Sequence, residues 1–421
     1  MTVYLHDIPL PEAKKRLHTA LEEAGLSDVL GIEAIPLDEH ALGRVLTEPI
    51  WAKISSPHYH ASAMDGFAVR AVDTEGALPT APVVLSYETE TVYVDTGDPL
   101  PSWANAVIPI ENVEPLDADG EISSNPRQPD AIRIRAAAAP WQHIRPMGED
   151  MVATQLVLPA GHILRPPDLG AIAGCGHDRV RVARRPKVAV IPTGTELVSV
   201  GEQVERGDII EYNSIMLAAQ ADQWGGRATR FDIVPDEFEA IRDRVAEAAR
   251  DHDLVLLNAG SSAGSEDFSA SVVEALGTLL VHGVAVRPGH PVILGIIGEG
   301  SSATPIIGVP GYPVSTALTG EIFVEPLLAR WLGRRPMELV EIEATLTRKL
   351  VSPAGDDDYI RVAVGKVGDR TLAAPLSRGS GVITSLVRAD GLLVVPRGSQ
   401  GMPAGERVTV RLYRSPNEIE R

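Results

Sequence analysis

Three short loops rich in glycine and hydroxyl side chains each follow an apolar run, and each carries groups suited to an anionic ligand. They are Pro192-Thr193-Gly194-Thr195-Glu196, Asn258-Ala259-Gly260-Ser261-Ser262-Ala263-Gly264 continuing to Asp267, and Pro310-Gly311-Tyr312-Pro313-Val314-Ser315. Glycines expose backbone N–H groups, serine and threonine add hydroxyl donors, and a helix start after such a loop favours negative charge. One such loop is an ordinary turn between strand and helix. Three of them after successive strands of one domain point to a phosphate-bearing ligand, because open α/β sheets bind ligands beyond the carboxyl ends of their strands. The spacing is not that of a dinucleotide fingerprint, and the lysine of a nucleoside-triphosphate loop is missing. Two of the loops end in acids, Glu196 and Asp267. Each alone reads as a helix cap. Beside a phosphate they would repel the ligand unless a divalent ion such as magnesium lay between. Arg287-Pro288-Gly289-His290 adds cationic and hydrogen-bonding groups on another glycine turn.

A further acid, Asp65, stands in Ser62-Ala63-Met64-Asp65-Gly66-Phe67-Ala68-Val69, directly before a glycine and an apolar run that reads as a strand. Glycine there permits close backbone approach, so the carboxylate can be aimed at a ligand, although Asp-Gly is also a common turn. The run Asp356-Asp357-Asp358 reads as a solvated loop. His58 and His60 have no further ligand nearby and are assigned no metal, and Cys175, the single cysteine, reads as a small buried residue.

The elements that must position these groups fall into blocks. Residues 10–24 have helical apolar spacing, and a second helical piece is expected around 38–46. Short β-type runs follow at 67–72, 81–87, 91–97, 106–110 and 131–135, separated by proline, glycine and acidic turns, which predicts a small antiparallel β domain. A helix is expected around 167–173. From Pro186 the pattern changes to apolar strands at 187–191, 253–257 and 305–309 alternating with helices at 213–224, 236–250, 267–276 and 313–332. Asp236 and Glu239 have capping-box spacing. This alternation predicts a parallel α/β sheet covered on both faces. After Arg335 the chain is β-rich again, predicting a small barrel or sandwich.

With 421 residues the chain exceeds one ordinary core. One cysteine excludes an internal disulfide and suits a reducing cytosol. A net charge of −19 without a basic block opposes nucleic acid and anionic membranes, but leaves room for an anionic small ligand neutralised locally. No apolar run reaches the roughly 18 residues needed to cross a bilayer, and the start shows no signal peptide. The expectation is a cytoplasmic protein.

Taken together and in order, the motifs resemble those of the molybdopterin molybdenumtransferases, the MoeA family that includes the gephyrin E domain. The matching stretches are SAMDGFAV from Ser62, Gly148-Glu149-Asp150, TGTEL from Thr193, GSEDF from Gly264, RPGHP from Arg287, GVPGYPVS from Gly308, DYIRV from Asp358 and GSGVITS from Gly379. The resemblance implies four domains: a split helical domain (1–53 and 149–184), an inserted β domain (54–148), a three-layer molybdopterin-binding α/β domain (185–335) and a C-terminal β-barrel-like domain (336–421). It implies a homodimer that inserts molybdate into adenylylated molybdopterin, releasing AMP, with magnesium; a molybdopterin adenylyltransferase would be a partner. By the same resemblance Asp65, Asp150, Glu196 and Asp267 are the catalytic acids, with Glu196 and Asp267 holding magnesium. Thr193, Gly194, Gly260, Ser261, Ser262, Gly264, Arg287, His290, Pro310, Gly311, Ser315, Arg361, Ser380 and Ser385 would bind the ligand.

Several positions depart from the family pattern. Its Lys-Pro-Gly-Lys is Arg287-Pro-Gly-His290, its Pro-Gly-Asn-Pro is Pro310-Gly-Tyr312-Pro, and its Ser-Gly-Gly-Val-Ser-Val-Gly is Asn258-Ala-Gly-Ser-Ser-Ala-Gly. Thr195 replaces an aspartate, and His60-Ala61 replace an Asp-Asn pair. The alternatives to insertion are a non-catalytic molybdopterin carrier or sensor, an adenylyl transferase acting on molybdopterin, and a tungstate-using variant.

Overall fold

The computed structural model describes residues 7–259 and 268–419. The chain divides into two compact units, one built from the chain up to Glu33 and from Ala183 onwards, the other from Ala34–Val182.

In the first unit a six-stranded sheet runs in the order Arg227–Arg230, Lys187–Pro192, Leu254–Ala259, Thr304–Pro310, Ile293–Ile297, Gly277–His282. The first four strands are parallel. Ile293–Ile297 pairs antiparallel with both its neighbours, Thr304–Pro310 and the edge strand Gly277–His282, a departure from the all-parallel expectation. Sequence reading missed both: Gly277–His282 follows the Ser269–Leu276 helix with no loop between, and no α-helix separates Ile293–Ile297 from the strands on either side of it in sequence. Alternation of side chains along the strands fills two cores. Val188, Val190, Leu254 and Leu256 face one layer with the helices Asn213–Gln223 and Glu325–Trp331, and there Leu10, Ala13, Leu17 and Leu21 of the Leu10–Glu23 helix also pack. Ala189, Ile191, Val255 and Leu257 face the helices Phe238–Asp251 and Ser269–Leu276. This is the three-layer α/β arrangement that the sequence predicts.

Two helix starts need correction. The Phe238–Asp251 helix has no side-chain cap, so the capping box expected at Asp236 does not form. The Asp236 N–H is instead drawn to Thr195 Oγ1 at 3.2 Å. The piece expected at 38–46 is only a single 3₁₀ turn, Glu39–Ala41.

The C-terminal part of this unit is a closed barrel. Strand Asp357–Val367 pairs with Arg370–Pro375, which pairs with Glu341–Leu346, then Arg407–Leu412, then Gly391–Val395, which returns to Asp357–Val367. Leu346, Ile360, Val362, Val395 and Val410 fill it. The short strand Val286–Arg287 adds in parallel to the start of Asp357–Val367, so the turn at 287–290 is hydrogen-bonded to the barrel.

The second unit holds two three-stranded antiparallel sheets, Thr91–Val94 with Gly66–Val69 and Ala106–Pro109, and Val83–Ser86 with Ala131–Ile134 and Val113–Leu116. Phe67, Leu85, Ile108 and Ile132 form their core. Gly66 is required in the central strand: a Cβ there would stand 2.1 Å from the Ile108 carbonyl oxygen. Beside this β body, Leu46, Ile50, Leu164, Ile172 and Cys175 pack around the helix Pro166–Gly174.

That helix is fixed at its start by Asp168, which accepts from the Arg165 backbone at 2.8 Å and from its guanidinium at 3.0 Å, and lies 2.7 Å from His162 Nε2. The Arg165 hydrogen bonds outweigh burial and hold the Asp168 carboxyl well below the usual carboxylate range. A depressed folded value stabilises above the unfolded value near 3.8 and loses that contribution as pH falls below it. Asp168→Asn is therefore expected to lower stability at pH 7 by about 2 kcal/mol and to flatten acid unfolding below about pH 4. Urea titrations at pH 7 and at pH 3 check both; an unchanged acid slope would contradict the assignment.

Candidate functional site

The three parallel strands with loop motifs end side by side, Pro192 in register with Asn258 and Ala259 with Pro310. Asn258 ties the ends together. Its carbonyl accepts from Thr193 N at 2.9 Å, and its buried Nδ2 donates to the carbonyls of Val309 and Pro310 at 3.1 and 3.2 Å. A cavity of about 320 Å³ opens there, with Thr193, Glu196, Asn213, Asn258, Gly311 and Tyr312 on its walls.

Glu196 is exposed, and no donor or cation engages its carboxylate among the described residues. It is not a helix cap: its turn runs into the short strand Leu197–Val198. Glu211, also on the wall, is the capping acid, accepting from Ser214 N at 2.8 Å and Ser214 Oγ at 2.6 Å. Asn213 follows. Its Nδ2 donates to the Gly311 carbonyl at 2.6 Å, which fixes the amide so that Oδ1 is the remaining atom, and that buried acceptor has no partner among the described residues. Sequence reading missed Glu211 and Asn213; their only signal was a polar pair at the start of a helix after an apolar run.

Tyr312, half-exposed, also borders a second cavity of about 300 Å³ with Arg287, His290, Pro310, Ser315 and Ser380. Arg287 and Ser380 in turn border a third, of about 510 Å³, with Asp358, Arg361 and Arg378. Shared walls make the three one cleft along the seam of sheet and barrel, ring-sized at one end and cationic at the other. Gly289, at φ +116°, supplies the left-handed turn that brings Arg287 and His290 to the same wall. Arg361 is buried, with Nη2 donating to the Ser377 carbonyl at 2.9 Å and Nε unpartnered among the described residues; burial pushes its guanidinium value down. Such an atom is costly unless a ligand oxygen reaches it.

The acidic run at 356–358 is not a solvated loop. Asp356 and Asp358 are buried. Asp358 accepts from Ser352 Oγ at 2.8 Å and pairs with Arg378, while Asp356 accepts from Arg287 Nε at 2.6 Å and lies 3.1 Å from His290 Nε2. His290 Nδ1 in turn lies 3.0 Å from Asp7. Local charge pattern cannot reveal this, because the partners of Asp356 are 66 and 69 residues distant in sequence and that of Asp358 is 20.

Thr193, Gly311, Arg287, His290, Pro310, Ser315, Arg361 and Ser380 are thus brought together along this cleft. Gly194, at the same strand end, donates its N–H to the Val234 carbonyl. Ser385 is not on these walls; its buried hydroxyl donates to the Val382 carbonyl at 2.7 Å. Gly260, Ser261, Ser262, Gly264 and Asp267 lie outside the described residues. Asp65 and Asp150 belong to the second unit. Asp65 Oδ1 accepts from both Thr96 N and Thr96 Oγ1 at 2.7 Å, and these bonds, the hydroxyl's first, hold its carboxyl below the ordinary value. Asp150 is exposed, its N–H donating to the Ser56 carbonyl at 3.0 Å.

Magnesium binds through one or two carboxylates together with ligand phosphates rather than in an all-protein cage. Glu196 offers one uncommitted carboxylate, and among the described residues no cluster of three or more His, Cys, Asp or Glu could hold a metal unaided. The donor set fits an ion shared with a ligand's phosphate.

Comparison with known proteins accounts for most of the chain. Residues 8–176 match the MoeA N-terminal region (domain I and II), residues 189–330 a family described as "Probable molybdopterin binding domain", and residues 343–413 the MoeA C-terminal region (domain IV). Molybdopterin molybdenumtransferase 2 of Mycobacterium tuberculosis is 34% identical over 89% of this chain and 94% of its own. Molybdopterin molybdenumtransferase of Bacillus subtilis is 28% identical over 98% and 96%. Among solved structures, the molybdopterin biosynthesis MoeA protein of Pyrococcus horikoshii superposes with a TM-score of 0.79 at 31% identity, covering 97% of this chain and all of that one.

Proposed function

The chain belongs to the MoeA family of molybdopterin molybdenumtransferases, and from that premise we propose that it completes molybdenum cofactor by inserting molybdate into adenylylated molybdopterin with release of AMP. The observation that carries this reading is the single cleft joining the ring-sized cavity at Asn213 and Tyr312 to the cationic cavities at Arg287, Arg361 and Ser380. A ligand with a heteroaromatic ring, phosphate and a metal oxyanion needs those two environments side by side.

In this reading the ring lies in the first cavity, its N–H edge donating to Asn213 Oδ1. The loops at 193–194, 260–264 and 310–315 would border the phosphates. Arg287, His290, Arg361 and Ser380 receive the oxyanion, and Ser385 supports the loop that carries Ser380. Glu196 and Asp267 would hold magnesium, which when bound neutralises the pyrophosphate charge. Asp65 and Asp150 are the acids assigned to the insertion centre. Exchange of oxygen for thiolate on molybdenum asks for positioning and charge neutralisation rather than a protein nucleophile. The reading includes a homodimer working in the cytoplasm, supplied by a molybdopterin adenylyltransferase, and the four-domain division at 53, 148, 184 and 335. Among the described residues no helix is long and apolar enough to cross a membrane.

The test incubates purified protein with adenylylated molybdopterin and magnesium, with and without molybdate, and follows AMP. Release that depends on molybdate is expected. A second reading, a carrier without turnover, is favoured by Asp356 already occupying Arg287 and His290. Tight binding by calorimetry with no AMP release in either arm would select it, and release without molybdate would reject both.

A further inference from the structure

Two cationic wall residues of the cleft, Arg287 and His290, are already paired with an anion that belongs to the protein. Asp356 enters from the start of the barrel, where the Asp357 N–H donates to the Ala285 carbonyl at 3.0 Å and Val286 and Arg287 pair with Asp357 and Asp358. That ladder fixes the Asp356 backbone against the turn that carries Arg287 and His290. One carboxylate oxygen takes Arg287 Nε at 2.6 Å and the other lies 3.1 Å from His290 Nε2. Burial opposes ionisation of Asp356, but the Arg287 and His290 bonds outweigh it and hold the group below its ordinary value, so it is an anion at neutral pH. The same two side chains form a wall of the cavity they share with Ser315 and Ser380.

We propose that Asp356 is a specificity-determining residue of this cleft: a built-in counter-anion on the Arg287–His290 pair that an oxyanion ligand must displace or share. The proposal rests on the reading above that this end of the cleft receives an oxyanion. Its consequence is selection by attachment. A free tetrahedral dianion such as sulfate meets the repulsion of a buried carboxylate at close range, where charges are poorly screened. An oxyanion delivered together with a ligand already seated by its ring and phosphates has a high effective concentration and can compete. Asp7 on the far nitrogen of His290 keeps the imidazole edge turned toward Asp356, as a second carboxylate on a histidine does.

Calorimetric titration of the full chain with sodium molybdate, and separately with sodium sulfate, tests this. Asp356→Asn is expected to bind both anions about tenfold more tightly than wild type, since the lost competitor is a charge-assisted bond. Asp356→Glu, which keeps the charge, is expected to stay as weak as wild type, and Arg287→Ala added to Asp356→Asn is expected to abolish the gain. Should Asp356→Asn melt early, Asp356→Ser is titrated in its place. No gain for either anion in a folded neutral variant, or an equal gain in Asp356→Glu, overturns the proposal. A gain for sulfate without one for molybdate upholds the counter-anion and removes the molybdate reading instead.

Discussion

Asp65→Ala is expected to slow molybdate-dependent AMP release by about 10²–10³-fold, the range for loss of one preorganised electrostatic contact at a reacting centre. Thermal stability is expected to stay nearly unchanged. The two expectations separate because of where Asp65 sits. It is exposed, so truncation opens no cavity. Its position is nevertheless set: two donors of Thr96 converge on Oδ1 from one side, the Asp65 carbonyl accepts from Ile110 N at 3.0 Å, and Gly66 presses against the Ile108 backbone. Thr96→Val removes the hydroxyl bond and keeps the amide bond, so a smaller loss of about tenfold is expected, with rate falling more than affinity. Steady-state AMP release by wild type, Asp65→Ala and Thr96→Val, with melting curves of each, checks the pair. Full activity in a folded Asp65→Ala protein would remove this acid from the insertion centre.

Trp331→Ala is expected to have the largest effect on stability, about 3–5 kcal/mol, as for other fully buried large aromatics. Trp331 has no exposed surface, and its Nε1 donates to the Leu26 carbonyl at 2.7 Å, joining the last sheet-covering helix to the segment after Leu10–Glu23. The helical run that ends there begins at Pro313, beside Tyr312 and Ser315 on the cleft walls. Truncation therefore loses packing, strands the Leu26 carbonyl and loosens the far end of a site element. Trp331→Phe keeps most of the packing and loses the hydrogen bond, for which about 1–2 kcal/mol is expected. Urea unfolding of the first unit, followed by hydrogen exchange of its central strands, reads both. A loss under 1 kcal/mol in Trp331→Ala would mean that the layer is not held at this residue.

These residues also show what a sequence can disclose. Val188, Val190, Leu254 and Leu256 were legible as buried strands because both faces of the sheet are covered, leaving continuous apolar runs. The turns after Pro192 and Pro310 were legible as strand-end loops, and residues of both line cavities there. The strands Gly277–His282 and Ile293–Ile297 were not, since the first follows the Ser269–Leu276 helix without an intervening loop and no α-helix separates the second from either of its partners. Asn213 and Asp356 were invisible for a different reason. A lone asparagine and a run of acids are defined by partners that only folding brings close, Gly311 for one, Arg287 and His290 for the other. The expected capping box at Asp236 failed because a tertiary bond to Thr195 outcompeted a local one.

The measurement closest to the central claim is a single-turnover reaction of the purified protein with adenylylated molybdopterin, molybdate and magnesium, counting AMP released and molybdenum retained on the pterin. Molybdenum insertion predicts that the two appear in equal amounts and at equal rates, and that both fall together in Asp65→Ala. AMP without pterin-bound molybdenum, or bound substrate with neither, would contradict it.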